Sequence, residues 1–256
     1  MKDTLKIADR EFNSRLFIGT GKFSSPAVMQ AAVEAAESEI VTVALRRVDL
    51  DNPNDQILEH LDPNKVLILP NTSGARDHTE AVRLAKLAAA SGLPKWIKLE
   101  VTPEPRFLLP DPVETLKAAE ILVKDGFNVM PYINADPILA KRLEEVGCVT
   151  VMPLGSPIGS NQGIKTLENI KIILDLVNIP VVVDAGLGKP SDAALAMELG
   201  ASAVLVNTAI ATAGNPTEMA KAFKLAVIAG RCAYLSKIPE TKDFAEASSP
   251  LSGLLR

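Results

Sequence analysis

A lysine and a glutamate stand two positions apart in an otherwise apolar stretch, "WIKLEV" at 96–101. Strand side chains alternate between faces, so Trp96, Lys98 and Glu100 share one face and Ile97, Leu99 and Val101 the other. The apolar face belongs against helices, which turns the charged face inward. A buried charge is costly unless it is paired. Two readings follow: an interior ion pair that only stabilises, or a reactive amine with an acid–base neighbour. An amine must be neutral to attack a carbonyl, and an ordinary lysine, with a pKa of about 10.4, is less than ~0.1% neutral at pH 7. Burial lowers that pKa and an ionised Glu100 raises it. Two strand steps put the backbones roughly 6.6 Å apart, which predicts modest coupling and leaves the sign of the sum open.

Other polar residues end apolar runs. In "VVVDAGLGKPSDAALA" (181–196), Asp184 follows three valines and precedes Ala185, Gly186 and Gly188, with Ser191 and Asp192 at a helix start. Such a turn either presents N–H groups to a phosphate or is merely tight. Asp184 is equally readable as an internal acceptor or a proton-transfer group. In "VLVNTAIA" (205–212), Asn207 and Thr208 mark the point where a strand gives way to small residues. "MPLGSPIGSNQGI" (152–164) holds two prolines and three glycines, which shapes a loop that lets backbone approach a ligand closely. Cys148 and Cys232 lie far apart in no metal-like spacing, so neither a disulfide framework nor a zinc site is expected. His60 and His78 lack a partner pattern, and His78 reads as a residue near a helix start. Lys22 and "LRR" at 45–47 are the hints of a local basic pocket.

Eight apolar runs could position these groups: 15–20, 40–45, 65–71, 96–101, 128–133, 148–154, 181–186 and 203–208. Most are near-continuous Val/Ile/Leu runs, as in strands covered on both faces of a parallel sheet. Helical segments alternate with them at 26–37, 77–91, 112–125, 136–146, 166–177, 190–199 and 216–229, with a weaker one within 52–61. Asp111-Pro112, Asp136-Pro137 and Asn215-Pro216 supply caps before N1 prolines. Gly92, Gly126, Gly147, Gly200 and Gly230 suit helix C′ positions. The alternation predicts a single-domain α/β (β/α)8 TIM barrel over 1–256, with an irregular C-terminal tail from about 237. A doubly wound sheet is the competing fold, but "GTGKFSS" (19–25) lacks the G-x-G-x-x-G spacing it would normally carry. In a barrel, the ends of strands seven and eight form the usual phosphate cradle, which favours a phosphorylated ligand.

Composition narrows the function. The chain of 256 residues is 47% hydrophobic and carries a formal net charge of −4, which argues against a nucleic-acid partner. No run of about 18 apolar residues suits a membrane span, and the charged N-terminus lacks a signal-peptide core. A cytoplasmic location is expected.

The segments "SRLFIGTGKF", "VTVALRR", "LPNTSGA", "WIKLEV", "VMPLGSPIGS", "VDAGLGKPSDAALAMELGA", "VLVNTAIA" and "AFKLAVIAGRCAYL" together resemble the bacterial thiazole synthase family of thiamine biosynthesis, over nearly the whole chain. The resemblance implies a (β/α)8 enzyme, a sulfur-incorporating transferase acting on 1-deoxy-D-xylulose 5-phosphate. Lys98 corresponds to its Schiff-base lysine, Glu100 and Asp184 to proton-transfer groups, and Gly159, Ala185, Gly186, Asn207 and Thr208 to ligand positions. It implies sulfur delivered by a small carrier protein (ThiS) as a C-terminal thiocarboxylate. Dehydroglycine, from a partner enzyme that forms it, supplies the remaining carbon and nitrogen. A homo-oligomer, often a tetramer, is implied, with no metal and no cofactor. One departure is Asn161 where family members often have glycine after the "PIGS" serine. Another Schiff-base phosphosugar aldolase, or a scaffold that only docks the carrier, remain the alternatives. The tail at 248–256 is a further candidate to close over the site or touch the carrier.

Overall fold

The computed structural model describes residues 3–45 and 57–248. The chain enters through a hairpin that the sequence reading did not anticipate: β1 (Leu5–Ile7) pairs antiparallel with β2 (Arg10–Phe12). Its charged residues hid it. Leu5, Ile7 and Phe12 point one way and are buried, while Lys6, Arg10 and Glu11 face solvent.

Eight parallel strands follow: β3 (Leu16–Gly19), β4 (Ile40–Ala44), β5 (Leu67–Asn71), β6 (Trp96–Leu99), β7 (Asn128–Ile133), β8 (Met152–Pro153), β9 (Val182–Val183) and β10 (Ala203–Val206). They are ordered β8-β7-β6-β5-β4-β3-β10-β9. The bridges Val151↔Val181 and Leu154↔Asp184 join the two outer strands. The result is the expected (β/α)8 barrel. The paired parts of β8 and β9 are much shorter than their apolar runs, because there the ladder is reduced to isolated bridges either side of two residues.

The helices are α1 (Pro26–Ala36), α2 (His78–Ala90), α3 (Pro112–Lys124), α4 (Pro137–Val146), α5 (Leu167–Leu176), α6 (Pro190–Glu198), a single turn α7 (Thr208–Ala211) and α8 (Pro216–Leu235). The predicted caps act as read: Asp111 accepts from the Val113 and Glu114 amides, Asp136 from Ile138 and Leu139, and Asn215 from Glu218. His78 is the first residue of α2. Within 52–61 the described part holds only a 3-10 turn, Leu58–His60. Arg46, Arg47 and the tail from 249 lie outside the described residues.

Gly230 corrects one expectation. It does not end a helix but lies inside α8, buried where α6 crosses, and a Cβ there would stand 2.4 Å from the Ala194 carbonyl oxygen. Close helix approach, not a cap, selects glycine at this site.

Two apolar layers sandwich the strands. Ile97, Leu99 and Val101 face outward into the layer shared with helix residues such as Ala118 and Leu122. Inside the barrel, Phe17, Leu69, Trp96, Met130 and Met152 pack with Leu5, Ile7 and Phe12 of the hairpin. Phe12 meets Trp96 edge-on, with centroids 6.4 Å apart. The hairpin therefore plugs the N-terminal end, and the charged groups are left to the opposite end.

Candidate active site

The inward alternation of β6 places Trp96 in the plug and Lys98 one layer higher. Glu100 follows just beyond the strand. The Thr72 hydroxyl pins it there, accepting from the Glu100 amide and donating to the Glu100 carbonyl, both at 2.8 Å. Asp184 reaches in from the end of β9, held by its amide donating to Pro153 O at 3.0 Å. Asn71 sits opposite Lys98 in the ladder and donates to Thr42 Oγ1 at 3.0 Å.

These elements converge on one nitrogen. Lys98 Nζ lies 2.6 Å from Glu100 Oε1 and 2.8 Å from Asp184 Oδ2, and each of the three residues is at most 4% exposed. The contact with Asp184 is one of charge, since Oδ2 has no aligned hydrogen bond among the described residues. The Tyr132 ring faces the ammonium at 5.2 Å.

This corrects the expectation of modest coupling. Backbones two residues apart say little when a long lysine side chain folds back toward its neighbour, and Asp184 adds a second carboxylate from across the barrel. Burial by itself lowers the proton affinity of Lys98. The Asp184 and Glu100 carboxylates outweigh that and hold it above the ordinary lysine range, as an ammonium. Burial raises the Asp184 carboxyl above its ordinary value, with Lys98 opposing. Burial, then the Asp184 and Glu100 charges, likewise push the Tyr132 phenol up, so it stays protonated.

Above the triad opens a cleft of about 270 Å³. Lys98, Glu100, Asp184, Ala185, Gly186, Asn207 and Thr208 all line it. Gly159 stands at its edge, where a Cβ would lie 2.9 Å from Lys22 Nζ and 3.5 Å from Thr208 Oγ1. The structure thus brings every residue singled out for the site to one end of the barrel. Among the described residues, the amides of Gly159 and Gly186 donate to no protein acceptor. Gly186 is required twice over: its φ is +78°, and a Cβ would lie 1.9 Å from the buried Ser156 hydroxyl. Not all of the glycine turn is open. Asp192 accepts from the amides of Gly188 and Lys189 at 2.9 and 3.1 Å, so those two donors are spent within the loop.

Asn161 adopts a left-handed φ of 52°. Asparagine tolerates that conformation better than most residues, so a left-handed position that suits glycine also admits it. The Asn207 side chain, its amide nitrogen turned to the arrangement that satisfies both neighbours, donates to Gly19 O at 2.9 Å and Gly21 O at 2.8 Å. It ties β10 to the loop after β3.

Several lining residues escaped the sequence reading of the site, and two of them, Thr102 and Lys22, bear on its chemistry. Thr102 carries a buried hydroxyl with no partner among the described residues. It sits two positions past Glu100, so the same alternation that revealed Lys98 could have revealed it. Lys22 was noted as a basic hint, but nothing in its local sequence tied it to the triad.

A family model described as "Thiazole biosynthesis protein ThiG" matches residues 6–250. The chain is 67% identical to a thiazole synthase of Syntrophobacter fumaroxidans over 256 residues, covering 100% of both chains. It is 63% identical to thiazole synthase 1 of Syntrophotalea carbinolica over 254 residues, covering 99% of this chain and 98% of that one. Among solved structures it resembles the Amycolatopsis orientalis BexX/CysO complex, with a TM-score of 0.83, 34% identity, and coverage of 94% of this chain and 98% of the other.

Proposed function

This chain belongs to the ThiG family of thiazole biosynthesis proteins and is a thiazole synthase, and from that premise we propose that Lys98 carries the reaction by forming an imine with 1-deoxy-D-xylulose 5-phosphate. The observation that carries this reading is the buried Lys98–Glu100–Asp184 triad at the floor of the cleft.

The triad addresses the difficulty of a charged amine. Lys98 rests as an ammonium, and Asp184, whose burial raises its proton affinity, lies 2.8 Å from the nitrogen. Transfer of the lysine proton to Asp184 yields a neutral amine and a neutral acid, a pair that tolerates a dry site better than ions do. The nitrogen then adds to the C2 carbonyl, giving a carbinolamine. The carbinolamine oxygen takes the Asp184 proton and leaves as water, and a protonated imine remains between two carboxylates. That cation now occupies the position of the original ammonium, so the same two charges stabilise it. Glu100, 2.6 Å from the nitrogen in the resting site, removes the proton on C3. Reprotonation along the chain moves the carbonyl from C2 to C3.

Sulfur is then delivered to that carbonyl by a small carrier protein bearing a C-terminal thiocarboxylate, and dehydroglycine from a partner enzyme completes the ring. The resemblance of this fold to BexX in its complex with CysO supports a protein partner. Gly159 and Gly186, with unengaged amides, hold the phosphate, and Ala185, Asn207 and Thr208 shape the wall around it. The reading includes a cytoplasmic location and a homo-oligomer. Among the described residues, no helix is long and apolar enough to cross a membrane.

The test is covalent. Incubation with the ketose phosphate and borohydride adds to the intact protein the mass of the sugar phosphate less an oxygen atom, mapped to Lys98. Lys98→Arg remains unlabelled. Absence of an adduct in the natural protein, with a Schiff-base aldolase labelled in parallel, removes the proposal.

A further inference from the structure

The cleft needs a cation for a phosphate, and Lys98 cannot be that cation. Four titratable groups line it among the described residues: Lys22, Lys98, Glu100 and Asp184. Both carboxylates are within 2.8 Å of Lys98 Nζ. When Lys98 forms an imine, its charge stays at that nitrogen between the same two anions. A phosphate ester brings a further charge of about −1.5 to −2. Lys22 is the remaining lining cation, and it has no ion pair among the described residues.

The geometry of Lys22 is specific. It follows Gly21 in the loop after β3 and holds a left-handed φ of 68°. A non-glycine residue there carries strain of roughly 1 kcal/mol or more. The flanks hold it in place. On one side Asn207 donates to the carbonyls of Gly19 and Gly21 at 2.9 and 2.8 Å. On the other, Phe23 packs against the main core. The result is that Nζ stands over Gly159, within 2.9 Å of where a Cβ would sit, while Thr208 Oγ1 is 3.5 Å from the same point. A side chain at 159 would displace the ammonium. Lys22, the unengaged Gly159 amide and the Thr208 hydroxyl therefore surround one small space at the rim of the cleft. Three other non-glycine residues of the cleft, Leu108, Asn161 and Ala185, also have left-handed φ values, 54°, 52° and 58°. Strain gathers on the loops that face this space.

We propose that Lys22 is the phosphate clamp of this enzyme and sets its preference for phosphorylated over free ketoses, and that the Asn207 side chain is a positioning residue that holds the Lys22 loop over the cradle. The inference rests on the imine-forming reading above. Lys22 touches the substrate's phosphate and no reacting carbon, so it governs capture and not the chemistry at C2.

The experiment titrates borohydride-trapped adduct at Lys98 against 1-deoxy-D-xylulose 5-phosphate and against 1-deoxy-D-xylulose, in the natural protein and in Lys22→Met, Lys22→Arg and Asn207→Ala. A charge-assisted contact predicts that Lys22→Met needs roughly 10- to 100-fold more phosphorylated sugar for half-saturation. Trapping of the free sugar stays unchanged, and Lys22→Arg recovers part of the loss. Asn207→Ala shows a smaller loss, again with the phosphorylated sugar only. Equal half-saturation in Lys22→Met and the natural protein overturns the proposal. So does an equal loss with both sugars, which means damage to the cleft and not a lost clamp. Should the natural protein trap neither sugar, the imine reading fails and Lys22 is judged by inorganic phosphate alone. In that case, a thermal upshift by phosphate that Lys22→Met lacks supports the clamp, and an equal upshift in both removes it.

Discussion

At the scale of single residues, the decisive feature is that one ammonium serves two buried carboxylates. Removing it should do more than prevent the proposed imine. Lys98→Met leaves Glu100 and Asp184 buried without a cation, a loss of about 3 kcal/mol near pH 8 by analogy with other broken buried pairs. The pH dependence follows from linkage. In the variant, Asp184, raised by burial and no longer opposed by Lys98, binds its proton more readily folded than unfolded, so the folded state gains relative to the unfolded one as pH falls. The melting-temperature gap to the natural protein should therefore narrow from pH 8 to pH 5. A gap that stays constant, or widens on acidification, means that the carboxylates are not held as ions by Lys98. "WIKLEV" told which side chains share a face. It could not tell that Lys98 folds back onto Glu100, nor that Asp184, 86 positions away by number, would close the triad.

At the scale of elements, strand ends carry the groups of the proposed chemistry and close contacts hold them in place. Thr72 anchors Glu100, and Asn207 anchors the loop after β3. Asp3 clasps Arg15 of the strand entry and Arg231 of α8 at 2.9 Å each. The hydrogen bond from Arg231, with the charge of Arg15, holds the Asp3 carboxyl down at about 2. The crossing of α6 and α8 at Gly230 gives a direct packing test. A Cβ 2.4 Å from Ala194 O and 2.9 Å from Met197 Cβ must push the helices apart. Gly230→Ala should lose about 1–3 kcal/mol in urea unfolding, despite the better helix propensity of alanine. A stabilised variant would show that the crossing can open without cost. The sequence marked Gly230 only as a helix end, because a glycine selected by a neighbouring helix looks the same, in one dimension, as a glycine selected by a turn.

At the scale of the whole molecule, the barrel separates two tasks between its ends. The hairpin and Trp96 fill one end with apolar side chains, while the other is left open to a ligand. Outside, α8 exposes Leu225, Ile228 and Leu235, spaced to share one helix face, at 65%, 48% and 52%. Helix-face apolar groups of this size favour burial against another surface, which supports the proposed self-association. The double variant Leu225→Glu, Ile228→Glu should lower the mass measured by light scattering after size exclusion while keeping the imine-forming activity. An unchanged mass would exclude this face from the assembly.

The sequence by itself determined the repeating strand–helix order, the inward face of β6, most helix caps and, through its resemblance, which candidate residues to look for at one end of the barrel. Those properties follow from local periodicity, from capping chemistry and from short distinctive segments, all of which are written along the chain. Only the tertiary structure decided that Lys98 rests charged, that the amides of Gly188 and Lys189 are already taken, that Asn207 braces a loop, and that Lys22 stands beside Gly159. Each of these depends on the distance between groups on different strands, and barrel closure sets that distance.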